Sequence, residues 1–520
     1  MKIHGKDYKP FVSAFNDETY SSTIVARRGA SPIPCGKSKV VTLESIIEII
    51  QDGDTISYPH YYRMGDKGLK LIVDKLREQG KKGIILYANA IFDHTDPWLY
   101  EAFQDGTLGG LYGNVYRKFG THVMAGDLLP WISVGFSHGN RVRKLQTGEV
   151  KVKVGFGPVP IADVYGNANG LMGKESQLCG PLGLFAADCE FADYICLLAG
   201  TVSHDFIVPA SISMENVDFV VPVETPGLAA GIGGGTLDIG KARSHPFNAR
   251  IAENVTRVME ASGVVKDNFN FQVGAGAGLI VLDNIRNILK KAGIRANFSI
   301  GGITSMHVEM LEEGTVRYLL HGQLFEPSTK VVHSLLWHSG HVEMTAGCYA
   351  SVANKESAVN MLDFAVLSAL EVDLDFNVNT VCANGRIIGG IGGGQDVAAG
   401  AELTVIFLPI ATGKNGIGHP KVVEKVYTRS TPGEVVDVVV TEEYASVNPK
   451  SKSCYRDAVI ENAGKFGLKI VPIEELHELS VKKAKEIGKI LPRRETTDEI
   501  VHIVEWRDGT LLDVLKKPVS

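Results

Sequence analysis

The sequence predicts an α/β protein of two tandem units, each a mainly parallel sheet flanked by helices. Three observations predict it. Strand-length apolar runs alternate with amphipathic helices, a pattern that covers a parallel sheet on both faces. That pattern begins near residue 41 and restarts near residue 224. At 520 residues the chain also has room for two to four domains of roughly 150 residues. The division is a 1–40 extension, a first unit over 41–223 and a second over 224–520.

Residues 1–40, with Pro32 and Pro34, read as irregular chain that wraps over a neighbouring subunit or domain. Thr42 can cap a helix whose apolar residues Leu43, Ile46, Ile47 and Ile50 share one face and which ends near Gly53. A strand over Thr55–Tyr58, a helix carrying Leu69, Ile72, Val73 and Leu76, and a strand over Ile84–Ala88 follow. Further strands are expected at Lys151–Gly155, Cys196–Gly200 and Phe219–Val223. In the second unit a helix over Asn248–Ser262 is stopped by Gly263. Then come a strand at Phe269–Val273, a glycine turn, a helix carrying Val281, Leu282, Ile285, Ile288 and Leu289, and a strand at Arg295–Ile300. Later strands are expected at Phe364–Val372, Leu403–Pro409, Val435–Val440 and Ile500–Glu505. The echo between Gly231–Gly235 and Gly390–Gly394 is too short to count as a repeat by itself.

A net charge of −6 without a basic run argues against nucleic acid or an anionic membrane as the main partner. No apolar run approaches the length of a membrane span. Residues 1–20 lack the form of a signal peptide. Seven cysteines with no Cys-x-x-Cys pair read as reduced thiols of a cytoplasmic protein, without a disulfide frame or zinc site. Glycine, 57 of 520 residues, exceeds the usual ~7%, and its clusters abut strand-like runs.

Four places can carry chemistry. The first is Gly274-Ala-Gly276-Ala-Gly278 between a strand and a helix, which can hold a phosphate or an oxyanion or serve only as a tight packing turn. Leu279 breaks the dinucleotide fingerprint, which disfavours an oxidoreductase. The second joins Glu371, Asp373, Asp375, Asn377 and Asn379 to the Gly389–Asp396 run, where main-chain N–H groups can converge on developing charge. An acidic, solvated strand end is the plainer alternative. The third is Ser57–Asp66, where His60 and Arg63 can bind a polycarboxylate, or Arg63 can pair with Asp66. The fourth comprises the polar turns Ser137–Arg141 and Gly166–Gly170, whose Asn and Gly also suit turn geometry alone. His333, His338 and His341 lack the acid or thiol that would complete a metal site, and no nucleophile elbow is present.

In order along the chain, several motifs resemble those of the citrate lyase α subunit family, within the coenzyme A transferase superfamily. They are Gln51–Ser57 with Arg63 and Asp66, Ser137-His138-Gly139, Gly166–Gly170, Gly301–Thr304, Ala369–Glu371 with Phe376–Asn379, and Gly389–Asp396. The resemblance runs from about Thr42 onward and implies two tandem coenzyme A transferase-like (NagB/RpiA-like) domains. It implies exchange of acetyl for citryl on the thiol of an acyl carrier protein, the γ subunit, in a cytoplasmic complex with the lyase β subunit. The chain would be a homo-oligomer without a tightly bound cofactor of its own. Its substrate would be the carrier's phosphoribosyl-dephospho-coenzyme A arm, with coenzyme A thioesters as surrogates. The resemblance assigns arm binding to Gly274, Gly276, Gly278, Gly301, Gly302, Thr304, Asn377, Asn379 and Asp396. It assigns carboxylate binding to His60, Arg63, His138, Arg141, Asn167 and Asn169, and catalysis to Gly392, Gly393 and Gly394 with Glu371, which can orient the substrate or hold a loop and is not the nucleophile.

Related transferases that form a glutamyl thioester carry a glutamate after the strand that here is Arg295–Ile300. This chain reads Gly301-Gly302-Ile303-Thr304, with no acid until Glu309. That implies direct attack by a substrate carboxylate through a mixed anhydride. Two departures bear on the acid. Where the family tends to read Ser-Phe-His-His-His, this chain has Ser57-Tyr-Pro-His60-Tyr61, and Ile391-Gly-Gly-Gly394 stands where it tends to read Ser-Gly-Gly-His. Citramalate is therefore the alternative acid, a carrier-independent transferase the third reading, and a non-catalytic ligand-binding protein the reading from another class.

Overall fold

The computed structural model describes residues 2–3, 6–7, 32–33, 36–233, 239–274 and 276–519. Most of the expected 1–40 extension, and Gly234 and Gly235 of the glycine echo, lie outside them.

Two large sheets organise the chain. The first runs in space Phe219–Pro222, Tyr194–Ala199, Val154–Val159, Thr55–Tyr58, Ile84–Ile91, Leu108–Val115, Ser133–Gly135. The second runs Val438–Val440, Leu403–Phe407, Phe364–Ser368, Asn270–Val273, Ala296–Gly301, Val316–His321, His341–Glu343. Taken in chain order, the strands are arranged identically in both, and every neighbouring pair named is parallel. Apolar burial on both faces is what such a sheet requires: Val154–Val159 and Leu403–Phe407 are buried at every position.

The duplication extends to detail. Ile161–Asp163 pairs antiparallel with Ala168–Asn169 and parallel with Val202–Ser203. Glu371–Asp373 pairs in the same way with Val378–Asn379 and Val422–Val423. In the first copy the Asp163 carboxylate accepts the Tyr165 and Asn167 N–H groups. In the second, Asp373 accepts those of Asp375 and Asn377. The repeat therefore lies in the topology and in one Asp-x-x-x-Asn turn, and the short glycine echo does not carry it.

The helix Asn248–Ser262 has the predicted bounds, closed by Gly263 at φ +70°. The expected strand Phe364–Val372 is two strands. Phe364–Ser368 stays in the second sheet, and Glu371–Asp373 joins the small one. The break falls where the Leu370 N–H turns to Asn379 O. A division at residue 223 also separates the C-terminal hairpin from its sheet, because Thr496–Glu505 pairs parallel with Ser133–Gly135 of the first sheet and antiparallel with Leu511–Pro518. No helix among the described residues is long and apolar enough to cross a membrane.

Candidate active site

In an open α/β sheet, ligands bind outside the carboxyl ends of the strands, where the strand order reverses. Here loops at the carboxyl ends of both sheets meet around a cavity of about 240 Å³. The second half contributes Gly274 after Asn270–Val273, Gly301 and Gly302 at the end of Ala296–Gly301, Gln323 and Phe325 after Val316–His321, and Gly393-Gly394. The first half contributes His138 and Leu184.

His138 opens the helix His138–Gln146, whose N-cap Ser137 accepts the Asn140 N–H. Its position is fixed from the other half. The His138 N–H donates to Gly392 O at 3.1 Å, and Asp396 accepts the Ser137 hydroxyl at 2.8 Å and the Gly139 N–H at 3.0 Å. Asp396 is fully buried, and burial raises its pKa to about 6. The C-terminal hairpin braces the same helix: Glu505 accepts from Asn140 and Lys144, and Gln395 donates to Glu505 O.

The His60 ring stacks on His138 with centroids 5.8 Å apart. Its Nε2 lies 2.8 Å from the Gln323 amide nitrogen. Burial drives the pKa of His60 well down and that of His138 to about 4, assisted by the cationic charge of Arg63 and Arg141. Both rings are therefore neutral at pH 7.

Arg63, at φ +50°, occupies a backbone region costly for a non-glycine residue. Its guanidinium lies 4.8 Å from the Phe325 ring centroid and 5.4 Å from that of Phe92. It makes no carboxylate ion pair among the described residues. Asp66, the alternative partner, instead accepts the Tyr58 hydroxyl at 2.7 Å and the Leu69 N–H at 3.1 Å. A partly buried guanidinium between two aromatic faces, with no carboxylate counter-ion among the described residues, is suited to a ligand carboxylate.

His60 and Arg63 pack against the wall residues His138, Gln323 and Phe325 without themselves lining the cavity, and several other residues singled out by sequence stand farther from it. Arg141 is committed to Asp188 through two bonds of 2.8 and 2.9 Å, both side chains buried. Glu371 accepts from the Asn379 side chain and the Tyr427 N–H. Asn167 and Asn377 donate to Asp163 and Asp373 in the duplicated turns. Asn169 and Asn379 accept from the backbone N–H groups of Leu171 and Val381. Thr304 forms a capping box with His307. Gly276 and Gly278 lie at the start of the helix Ala277–Ala292 behind Gly274. The three histidines of the discarded metal reading are separated: His333 and His338 are exposed, while buried His341 pairs with His321. Gln323, Phe325, Phe92 and Tyr349 were not predicted; the Gly322 that precedes Gln323 after an apolar strand was the one local signal.

A model of the citrate lyase alpha subunit matches residues 37–518 of this chain. The chain belongs to the citrate lyase alpha subunit family. The citrate lyase alpha chain of Klebsiella pneumoniae is 37% identical over 472 residues, covering 90% of this chain and 88% of its own. That of Escherichia coli K12 is 34% identical over 469 residues, covering 90% and 88%. A crystal structure described as the citrate lyase alpha subunit of Streptococcus mutans in complex with citrate superposes with a TM-score of 0.86 at 34% identity, covering 95% of this chain and 94% of its own. The malonate decarboxylase alpha subunit of Acinetobacter baumannii shares the fold, with a TM-score of 0.61 at 15% identity. Family membership bears out the resemblance read from the motifs, and the shared fold bears out the tandem α/β architecture.

Proposed function

We propose that this chain is the transferase component of a citrate lyase, exchanging acetyl for citryl on a carrier thiol and releasing acetate. The thiol is that of the phosphoribosyl-dephospho-coenzyme A arm of an acyl carrier subunit. The citryl product passes to the lyase β subunit, in a cytoplasmic assembly in which this chain is itself oligomeric. Family membership and the citrate held by the Streptococcus mutans relative support this reading.

The make-up of the cavity wall carries the mechanism. Among the described residues lining it there is no Asp, Glu, Cys, Ser, Thr or Lys, so no carboxylate stands on the wall to form the glutamyl thioester of a covalent transferase. The acceptor acid supplies the nucleophile instead. A citrate carboxylate oxygen attacks the acetyl thioester carbonyl, the C–S bond breaks, and the carrier leaves as thiolate from a citryl–acetyl anhydride. The thiolate then attacks the citryl carbonyl, forming the new thioester and expelling acetate. Arg63 holds a carboxylate of the acid, His138 and its neutral partner His60 border it, and bare backbone at Gly274, Gly302 and Gly393 lets the thioester approach the main chain.

The test is transferase activity with acetyl-coenzyme A as donor and citrate, citramalate or a simple monocarboxylate as acceptor, with borohydride present to trap an enzyme thioester. Citrate-dependent turnover without trapping is expected. Citramalate is included because the departures at Ser57–Tyr61 and Ile391–Gly394 bear on which acid the site accepts. Preference for it would change the acid and leave the chemistry intact.

A further inference from the structure

We propose that Gln323 is a positioning residue that fixes neutral His60 as an Nδ1–H donor to the acid's carboxylate, so that the acid site is completed only where the two halves meet. This rests on the carboxylate site proposed above. The two residues are 263 positions apart in sequence, both nearly buried, with their Nε2 atoms 2.8 Å apart. An amide nitrogen only donates, so His60 Nε2 accepts and the ring proton sits on Nδ1. That Nδ1 is buried and has no hydrogen-bond partner among the described residues. A buried donor left unmet destabilises the folded chain. A carboxylate held by neighbouring Arg63 supplies the missing acceptor.

The loop that carries Gln323 is itself fixed by a chain of neutral groups. His341 Nδ1 lies 2.9 Å from the Ser334 hydroxyl, His341 Nε2 lies 3.1 Å from His321 Nδ1, and His321 Nε2 lies 3.0 Å from Gln323 O. One direction satisfies every member: hydroxyl to His341, His341 to His321, His321 to the carbonyl. Phe325, two residues on, is one face of the Arg63 clamp. A single second-half loop thus sets both the tautomer of His60 and the stacking of Arg63.

The experiment uses full-length protein labelled with [15N]histidine, with His60 assigned by comparison with His60→Gln, alongside kinetics with citrate and acetyl-coenzyme A. Wild type is expected to carry the His60 proton on Nδ1, with that resonance shifting when citrate is added. Gln323→Met should leave mixed tautomers and raise KM for citrate about tenfold, as for loss of one hydrogen bond to a charged group, with kcat within about twofold. Gln323→Glu, which only accepts, should place a proton on Nε2 and fail to restore KM. A wild-type His60 protonated on Nε2, a Nδ1 resonance indifferent to citrate, or an unchanged tautomer in Gln323→Met overturns the proposal. The tautomer is read without substrate, and an unchanged KM in Arg63→Gln would overturn the carboxylate-site reading separately.

Discussion

The Arg63 guanidinium, carried by the first half, lies 4.8 Å from the ring centroid of Phe325 in the second. Its planar face lies against the Phe325 and Phe92 rings, and the guanidinium makes no carboxylate ion pair among the described residues. Arg63→Gln is expected to raise KM for citrate about a hundredfold, the scale for removing one partner of a desolvated charge pair, with a smaller effect on kcat. Arg63→Lys should not rescue, because an ammonium neither stacks nor forks. Steady-state kinetics decide this, and rescue by lysine would reduce the residue to a point charge.

Gly393 tests how closely the backbone must approach the thioester. A Cβ there would lie 2.5 Å from the Tyr349 hydroxyl, itself 3.3 Å from the Gln272 amide nitrogen on the same wall. Gly393→Ala should therefore displace Tyr349 and lower kcat about tenfold through misplacement of the reacting groups, leaving KM for citrate unchanged. Equal losses in kcat and citrate binding would make the glycine run a packing feature.

Asp188 and Arg141 form a buried pair whose loss leaves a charge without its partner. Asp188→Ala is expected to cost about 3–5 kcal/mol of stability, measured by denaturant unfolding where it is reversible. A loss below about 1 kcal/mol would mean that Arg141 finds another partner, and would return it to the set of substrate-binding candidates.

Asp66 makes a pH prediction. Burial raises its pKa from 3.8 to about 7, so between those values the folded chain binds a proton that the unfolded chain has released. Its contribution to stability is full below pH 3.8 and is lost as pH rises through about 7. Between pH 5 and 8 the Tm of wild type should fall more steeply than that of Asp66→Asn, whose side chain does not titrate. Parallel profiles would contradict this.

Much of the fold was legible locally. The helix Asn248–Ser262 and the strand Thr55–Tyr58 have the bounds read from the sequence, because the helix buries one face through its own period and the strand is buried continuously from Ile56 to Tyr58. The Phe364–Val372 run misled because composition cannot show a chain leaving one sheet for another at Ala369-Leu370. The candidate site was half legible. His60, Arg63, His138, Gly301, Gly302 and Gly393 announced themselves by type and spacing. The Asp and Asn residues did so too, but their side chains are spent on duplicated turns, and an acidic cluster in sequence does not reveal which groups its carboxylates accept. Gln323 and Phe325 carry no local signature, since their place at the site comes from one half meeting the other.

Direct transfer is tested most sharply by a single turnover, with enzyme in excess over acetyl-coenzyme A and citrate labelled with 18O in its carboxylates. If the citrate oxygen attacks the acetyl carbonyl, the first acetate released carries one 18O atom, and the intact mass of the enzyme does not change. Unlabelled acetate, with an acyl or thioester adduct on a glutamate of the chain, would contradict the account.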